Sequence, residues 1–378
     1  MPSINDALSS AHHSVRVPVD TANDVSLDVQ VFNPHIDVWN KKTVLLLHGF
    51  PEAWFFWRPQ VDALVGAGFQ VVIPDQRGYN KSSKPPTTAN GRNYTLTRLS
   101  NDVVALIDYL KLGKVMLVGH DFGGAVSWFT AMAHPELVER MVIMSLPHPK
   151  IFFPAWANIP AQKMDSIYIE NFLTKQISPS IIQATRGGVL ALTMTQSSNH
   201  GTFDTDTLDA FRNAWLRTAT GELLENLGDL ASAIGSISLK RATGTFASLA
   251  DGAQNTGDVS NTPWAGAAML NWYSALLANW EIWKGSPAGF PWPSTNGVVE
   301  VPTLVLEGDN DAFFINSLLA PSVALCKAAG SGGKVVLGTT HWMAWDAPNR
   351  VNKILVAYFR DSHILDDAVC NTKDVSKY

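Results

Sequence analysis

The stretch VGHDFGGAVSW, residues 118–128, contains the side chain best suited to act as a nucleophile. Gly119-His120-Asp121-Phe122-Gly123 has the G-x-S-x-G frame of a nucleophile elbow, with aspartate in place of serine. An apolar run precedes this frame and a helical pattern follows it, which predicts a tight strand-to-helix turn with Asp121 at its tip. The N-terminus of that helix would favour a carboxylate there. The plainer alternative is that Asp121 only caps the helix.

Three further motifs follow strand-like apolar runs, where ligands bind in parallel sheets. HGFPE, which begins at His48, follows TVLLL and offers backbone N–H groups that could complete an oxyanion hole. EGDND contains two candidate acids, Asp309 and Asp311, and GTTHW contains His341. The chain order of nucleophile, acid and histidine is that of the α/β hydrolases. A lone histidine is more often a packed or surface residue, but in this order His341 is a candidate base.

The patterns around these motifs predict a mostly parallel sheet with helices on both faces. Residues 17–31 alternate in the strand period around a turn and predict an antiparallel hairpin at a sheet edge. The other predicted strands, which are short and mostly apolar, are 43–47, 70–73, 114–118, 138–144, 301–306 and 334–337. The predicted helices are 61–65, 96–110, 124–133, 318–329 and 350–359.

The strand–helix alternation stops between about residues 150 and 295, where the pattern is helical with Gly- and Ser-rich connectors. We therefore predict a core made of residues 1–149 and 295–378 and an inserted helical cap or lid made of residues 150–294. His120, beside the candidate nucleophile, is predicted to pack beneath the elbow.

Composition limits the class of protein. The 378 residues are 46% hydrophobic and 16% charged, with a net charge of −5 and no run of Lys or Arg, so no nucleic-acid partner is predicted. The N-terminus has no apolar signal region, and no apolar run reaches the ~20 residues of a membrane span, so a cytoplasmic protein without a transmembrane segment is expected. No metal-binding or nucleotide-binding motif is recognisable, so neither a metal nor another cofactor is predicted. The oligomeric state is left open.

Five motifs resemble, in the same order, those of the α/β-hydrolase-fold epoxide hydrolases of the soluble type. They are HGFPEAWFFWRPQ, DQRGYNKSSKPP, VGHDFGG, NWYSALL and THWMAWDAP, and the resemblance runs over about residues 40–175 and 265–360. It implies an α/β-hydrolase fold with a cap, a small apolar epoxide and water as substrates, and no cofactor. Residues 232–266 resemble nothing that we can assign, which leaves the choice of epoxide and enantiomer open.

The resemblance also implies catalytic roles that chemistry can justify. Asp121 would open the epoxide ring and form an ester, which water can cleave at the aspartate's own carbonyl, whereas a serine would leave an ether. A carboxylate is already ionised at neutral pH and needs no base for this attack. His341 would activate the water. Asp311 matches the family's G-x-x-D spacing and would orient His341, with Asp309 as the second choice.

The remaining implied residues bind the substrate. The backbone N–H groups of Phe50 and Phe122 would hold the oxyanion, and two cap tyrosines would hold the alkoxide. Tyr273 matches the family's N-W-Y and Tyr168 matches more loosely; the plainer alternative for each is a half-buried interface tyrosine. An apolar pocket wall is predicted from Pro51, Trp54 and Trp342.

Two other functions are open to this sequence. A haloalkane or haloacetate dehalogenase would use the same aspartate, histidine and acid, but these relatives usually carry Trp or Arg directly after the nucleophile, where this chain has Phe122. A receptor-like α/β hydrolase would bind a small molecule without turnover, and the complete triad argues against this interpretation.

Overall fold

The structure is a computed structural model that describes residues 11–33, 35, 37, 39–86, 89–174, 177–218, 222–223, 264–276, 279, 290–360 and 372–374. Among these residues, one sheet of nine strands has the order β1-β2-β4-β3-β5-β6-β7-β8-β9. The strands are β1 (Ala11–Asp20), β2 (Val25–Asn33), β3 (Thr43–Leu47), β4 (Gln70–Pro74), β5 (Val115–His120), β6 (Val138–Met144), β7 (Thr303–Gly308), β8 (Gly332–Val336) and β9 (Thr372–Asp374).

The direction of the strands follows their apolar pattern. β3 to β8 pair in parallel, and β3 and β5, which are mostly apolar, are buried along their whole length. β1 and β2 form an antiparallel hairpin at one edge, and β9 pairs antiparallel with β8 at the other. The predicted hairpin and parallel strands are therefore confirmed. The boundaries of the parallel strands differ from the prediction by at most two residues, whereas the hairpin begins six residues earlier, at Ala11.

Helices connect the strands and cover the sheet. They are α1 (Arg58–Gly66), α2 (Leu96–Tyr109), α3 (Phe122–Ala133), α4 (Pro149–Asn158), α5 (Pro160–Asp165), α6 (Ile167–Leu173), α7 (Pro179–Ala184), α8 (Gly188–Gln196), α9 (Thr205–Trp215), α10 (Ala265–Ala268), α11 (Leu319–Val323), α12 (Met343–Asp346) and α13 (Pro348–Phe359). Residues 271–276 are also helical. In the part of the chain that the structure describes, no helix is both long and apolar enough to cross a membrane.

The predicted helix 318–329 is wrong in length, because α11 ends at Val323. The backbone beyond it pairs with another segment: Val299 N–H donates to Leu325 O at 3.0 Å, and Lys327 N–H donates to Val299 O at 2.9 Å. Leu325 O and Lys327 N–H therefore bond Val299, in a bridge between Val299 and Cys326, and do not continue the helix.

The helices α4 to α10 and residues 271–276 lie between β6 and β7 in the chain, and we call them the cap. Two indole N–H groups join the cap to the core: Trp272 donates to Arg77 O at 3.0 Å, and Trp215 donates to Pro51 O. The cap boundaries at 150 and 294 stay a prediction. Residues 232–263 of the unassigned stretch lie outside the described residues.

Candidate active site

Asp121 lies in a strained turn between β5 and α3, with φ 51° and ψ −123°. This conformation is costly for a residue with a side chain, and such strain is concentrated at functional sites. Gly119 and Gly123 allow the turn, because a Cβ at either residue would collide with neighbouring backbone. The side chain of Asp121 makes no capping hydrogen bond to α3. The capping alternative is therefore wrong.

The carboxylate of Asp121 is instead held between two loops at the carboxyl edge of the sheet. Its Oδ1 accepts the backbone N–H of Phe50 at 2.8 Å, and its Oδ2 lies 3.7 Å from His341 Nε2. Phe122 is the first residue of α3, so its N–H has no acceptor within that helix. Of the two predicted oxyanion donors, Phe50 therefore lies in the loop that contacts Asp121, and Phe122 directly follows Asp121.

His341 contacts Asp311 and not Asp309. His341 Nδ1 lies 3.0 Å from Asp311 Oδ2, and Asp311 Oδ1 accepts the backbone N–H groups of Phe313 at 2.8 Å and Phe314 at 3.2 Å. The side chain of Asp309 is exposed and accepts the N–H of Thr339 at 3.0 Å. The geometry thus supports the first of the two candidate acids.

A second buried pair lies beneath the elbow. His120 is buried, with its Nδ1 2.6 Å from Glu52 Oε1 and its Nε2 2.8 Å from the backbone oxygen of His341. Burial alone would lower the pKa of His120, but the charge and hydrogen bond of Glu52 raise it to about 9. Glu52 Oε2 accepts the N–H of Gly49 at 2.6 Å, and the hydroxyl of Ser145 donates to His341 O at 2.9 Å. This pair therefore ties the HGFPE loop, the elbow and the His341 loop together.

The two cap tyrosines pack against each other and against the residues around Asp121. Tyr168 lies in α6 and Tyr273 in the helical residues 271–276, with ring centroids 6.2 Å apart. The ring of Tyr273 packs edge-on against Phe50 at 5.0 Å and Phe122 at 4.9 Å. Burial raises the pKa of both phenols well above its usual range, and the negative charge of Asp121 raises it further. Both hydroxyl groups therefore keep their protons at neutral pH and can donate hydrogen bonds.

Two neighbouring cavities share Asp121, Tyr168 and Tyr273 as walls. The first, which we call the apolar lobe, is also lined by Leu96, Leu146, Phe152, Phe153, Ile169 and Phe314. The second, which we call the histidine lobe, is also lined by Phe50, Pro51, Phe172, Leu190, His341 and Trp342. Their predominantly apolar lining with a few convergent polar groups is typical of sites for small organic ligands.

Of the three predicted pocket residues, Pro51 and Trp342 line the histidine lobe, but Trp54 lines neither lobe. The ring of Trp54 packs towards the sheet edge, with centroids 6.2 Å from Phe32 and 6.4 Å from His12. Trp54 begins a 3₁₀ turn over Trp54–Trp57, and its ring also packs edge-on against Phe55. The prediction for Trp54 is therefore wrong.

Sequence reasoning assigned no role to Glu52 or to Gln162, a buried glutamine of α5. Glu52 belongs to the HGFPE motif, but its pairing with a histidine 68 positions later in the chain has no signal in one sequence. Gln162 carries no motif at all. Among the residues that the structure describes, no group of three or more His, Cys, Asp or Glu side chains is arranged to hold a metal ion.

Comparison with known proteins agrees with this fold. A family model described as alpha/beta hydrolase fold matches residues 42–176. The "AB hydrolase superfamily protein YfhM" of Bacillus subtilis is 28% identical over 84% of this chain and 90% of its own length. "Epoxide hydrolase A" of Mycobacterium tuberculosis is 28% identical over 83% of this chain and 89% of its own length.

A solved structure of a mutant epoxide hydrolase from Bacillus megaterium superposes with a TM-score of 0.67 at 19% identity, covering 92% of this chain and all of that one. At that identity the superposition establishes the fold. The chain has the α/β-hydrolase fold, and the prediction of its fold class is confirmed.

Proposed function

We propose that this protein hydrolyses apolar epoxides to vicinal diols through a covalent ester on Asp121. One observation carries the proposal: a carboxylate in the elbow shares its cavity with two tyrosines, which keep their protons at neutral pH, and with a histidine. That arrangement fits a reaction in which a nucleophile, an alkoxide acceptor and a water-activating base act on adjoining atoms. The similarity to proteins named epoxide hydrolases supports the same substrate class.

Ring opening is the first step. Asp121 Oδ2 attacks one carbon of the oxirane from the face opposite the C–O bond, and that bond breaks with its electron pair leaving on oxygen. The developing alkoxide receives hydrogen bonds, and then a proton, from Tyr168 and Tyr273. The raised pKa of both phenols suits this role, because the hydroxyl groups stay protonated until the alkoxide forms.

Ester hydrolysis is the second step. His341 takes a proton from water through Nε2, and the water oxygen adds to the carbonyl carbon of the Asp121 ester. Asp311, 3.0 Å from Nδ1, orients the ring and stabilises its positive charge. The backbone N–H groups of Phe50 and Phe122 would hold the oxyanion that results. The tetrahedral intermediate then expels the diol, whose oxygen takes the proton back from His341. The regenerated Asp121 carboxyl releases the second proton of the water, and an equivalent proton restores the tyrosine that protonated the alkoxide.

Dehalogenation is the competing function with the same aspartate, histidine and acid. A halide leaving group needs N–H donors in the cavity, and indoles commonly supply them. Here the indole N–H of Trp342 donates to Ser197 Oγ at 2.9 Å, and that of Trp272 donates to Arg77 O. Phe122, directly after the nucleophile, has no side-chain donor. These occupied donors favour an epoxide over an alkyl halide.

Trapping the ester tests the proposal. His341→Gln should open the ring but fail to hydrolyse the ester, so brief exposure to styrene oxide should add the mass of the whole epoxide, located on Asp121 by peptide mapping. The same variant is exposed separately to 1-chlorobutane, and the double variant Asp121→Ala/His341→Gln is the control.

An epoxide adduct that is absent from the double variant supports the proposed function. A butyl adduct on Asp121 with 1-chlorobutane alone would assign the site to dehalogenation instead. If neither probe nor a wider panel of aryl and alkyl epoxides forms an adduct, the proposal is wrong, and a binding function without turnover becomes the better interpretation.

A further inference from the structure

Gln162 occupies an unusual position for a side chain on a short surface helix. It lies in α5, whose neighbours Ala161, Lys163 and Met164 are exposed, yet Gln162 itself is fully buried. A buried carboxamide is costly unless its donor and acceptor are both bonded.

The carboxamide of Gln162 binds the loop that follows Asp311. Its Nε2 donates to Phe313 O at 2.8 Å, and its Oε1 accepts Ile315 N–H at 3.1 Å. The N–H groups of Phe313 and Phe314 donate to Asp311 Oδ1. The backbone of residues 313–315 is therefore held from two directions, by the acid of the triad and by a residue of the cap.

The same glutamine is linked to the helix that carries Tyr168. Its Nε2 also donates to Ser166 Oγ at 2.9 Å, and Ser166 precedes α6. The ring of Phe313 lies between the two halves of the site, 4.7 Å from His341 and 5.0 Å from Tyr168 between centroids. The side chain of Gln162 thus contacts both the loop that follows Asp311 and the start of α6, the helix that contains Tyr168.

We propose that Gln162 is a positioning residue that sets the distance between the Tyr168 hydroxyl and the Asp311–His341 pair. This inference rests on the proposed function, because it assigns Tyr168 to ring opening and Asp311 to ester hydrolysis. The carboxamide of Gln162 supplies both the donor for Phe313 O and the acceptor for Ile315 N–H. Loss of Gln162 therefore slows both chemical steps, although it touches neither substrate nor a reacting atom.

The test compares two glutamines that are each bonded through both amide atoms. Gln162→Met removes the donor and the acceptor at similar volume. The control is Gln70→Met, because Gln70 also bonds through both amide atoms, to Thr43 and Asn33 at 2.8 Å each. Gln70 lies at the start of β4, at the amino ends of the parallel strands, whereas the candidate site lies at their carboxyl ends. Single-turnover kinetics with styrene oxide, quenched and read by intact mass, give the rates of ester formation and ester hydrolysis separately.

Gln162→Met should slow both rates by about tenfold, as expected for a misplacement of roughly 1 Å or less. Gln70→Met should leave them unchanged. In a Tyr168→Phe background, Gln162→Met should scarcely slow ester formation further but should still slow hydrolysis tenfold, whereas a merely structural role would reduce both rates again. Equal effects of Gln162→Met and Gln70→Met on the two rates would overturn the proposal. A further slowing of ester formation by about tenfold when Gln162→Met is added to Tyr168→Phe would also overturn it.

Amide hydrogen exchange separates this inference from the proposed function. The amides of Phe313, Phe314 and Ile315 should exchange faster in Gln162→Met than in the parent, and should be unchanged in Gln70→Met. If the parent protein forms no ester but these amides exchange faster in Gln162→Met, the proposed function is wrong, and the role of Gln162 in holding residues 313–315 is supported. Unchanged exchange overturns the positioning role whatever the activity.

Discussion

The two halves of the site are built differently. Asp121, Asp311 and His341 each follow the end of a parallel strand, so the sheet places their backbone atoms and a few hydrogen bonds complete the arrangement. Tyr168 and Tyr273 come from cap helices, whose position depends on side-chain contacts such as those of Trp272, Trp215 and Gln162. The position of the proposed triad therefore depends mainly on the fold of the core, whereas the position of the two proposed proton donors depends on how the cap packs on the core.

The largest expected effect comes from breaking the core half at its nucleophile. Asp121→Ala should lower turnover of an epoxide by about 10⁴-fold or more, because no ester can form without the carboxylate. The unfolding midpoint in urea should stay at or above that of the parent, since alanine removes a buried charge. Substantial remaining turnover, measured as diol formation, would contradict the covalent mechanism.

Breaking the cap half should have a smaller and divisible effect. Tyr273→Phe should slow ring opening by about tenfold, because Tyr168 can still donate, and the double variant with Tyr168→Phe should slow it by roughly 10²–10⁴-fold. Ester hydrolysis should keep the parent rate in both variants. Burst kinetics with an aryl epoxide give the two rates, and a slower hydrolysis step would mean that the tyrosines act on the triad.

His148 lies at the junction of the two halves, as the residue before α4, and tests the coupling of stability to pH. It packs between Trp128 and Trp292, and burial lowers its pKa to about 3, with a smaller contribution from Lys150. The folded pKa is depressed, so the unfolded chain binds the proton first. The contribution of neutral, buried His148 to the free energy of unfolding is therefore fully present above about pH 6.5 and is lost as the pH falls towards 3.

His148→Asn should remove this dependence and keep the acceptor for Lys150 N–H at the start of α4. Urea unfolding gives the free energy of unfolding at each pH. Between pH 6 and 4, this free energy should fall with decreasing pH less steeply in the variant than in the parent, by about 1.4 kcal/mol per pH unit. Identical slopes would mean that His148 is protonated in the folded state over this range.

The smallest expected effect sharpens the comparison at the contact between the halves. Trp215→Phe removes the hydrogen bond to Pro51 O and should cost about 1–3 kcal/mol in the free energy of unfolding. Turnover should change by less than about threefold, because Asp121 and Glu52 still hold the same loop through Phe50 and Gly49. A loss of turnover as large as that of Tyr273→Phe would show that this loop depends on the cap.

The core half could be predicted from the sequence because its signals are local. The G-x-D-x-G frame needs glycines at fixed positions on either side of Asp121, and His341 follows an apolar strand. The choice between Asp309 and Asp311 could not be made from the residues alone, since both follow β7. It depends on the fold of residues 311–315, where the N–H groups of Phe313 and Phe314 bind Asp311.

The cap half was harder to predict because its contacts join residues that are distant in the chain. Gln162 bonds backbone atoms about 150 positions later, and backbone atoms leave no signature in side-chain types. The prediction for Trp54 failed for a related reason: Trp54 is three residues from Pro51 in sequence, but its ring packs against Phe32 of β2. Proximity in the chain is a poor guide to which aromatic residues line a cavity.

The division of the cavity into an apolar lobe and a histidine lobe has a stereochemical consequence for the proposed reaction. Attack by Asp121 inverts the configuration of the attacked carbon, whereas hydrolysis at the ester carbonyl leaves that carbon untouched. When the two enantiomers of an epoxide place their larger substituent in opposite lobes, Asp121 attacks opposite ring carbons. Inversion at one carbon in one enantiomer and at the other carbon in its mirror image yields the same diol. A cavity with two receptive sides can thus convert a racemic epoxide into a single enantiomer of product.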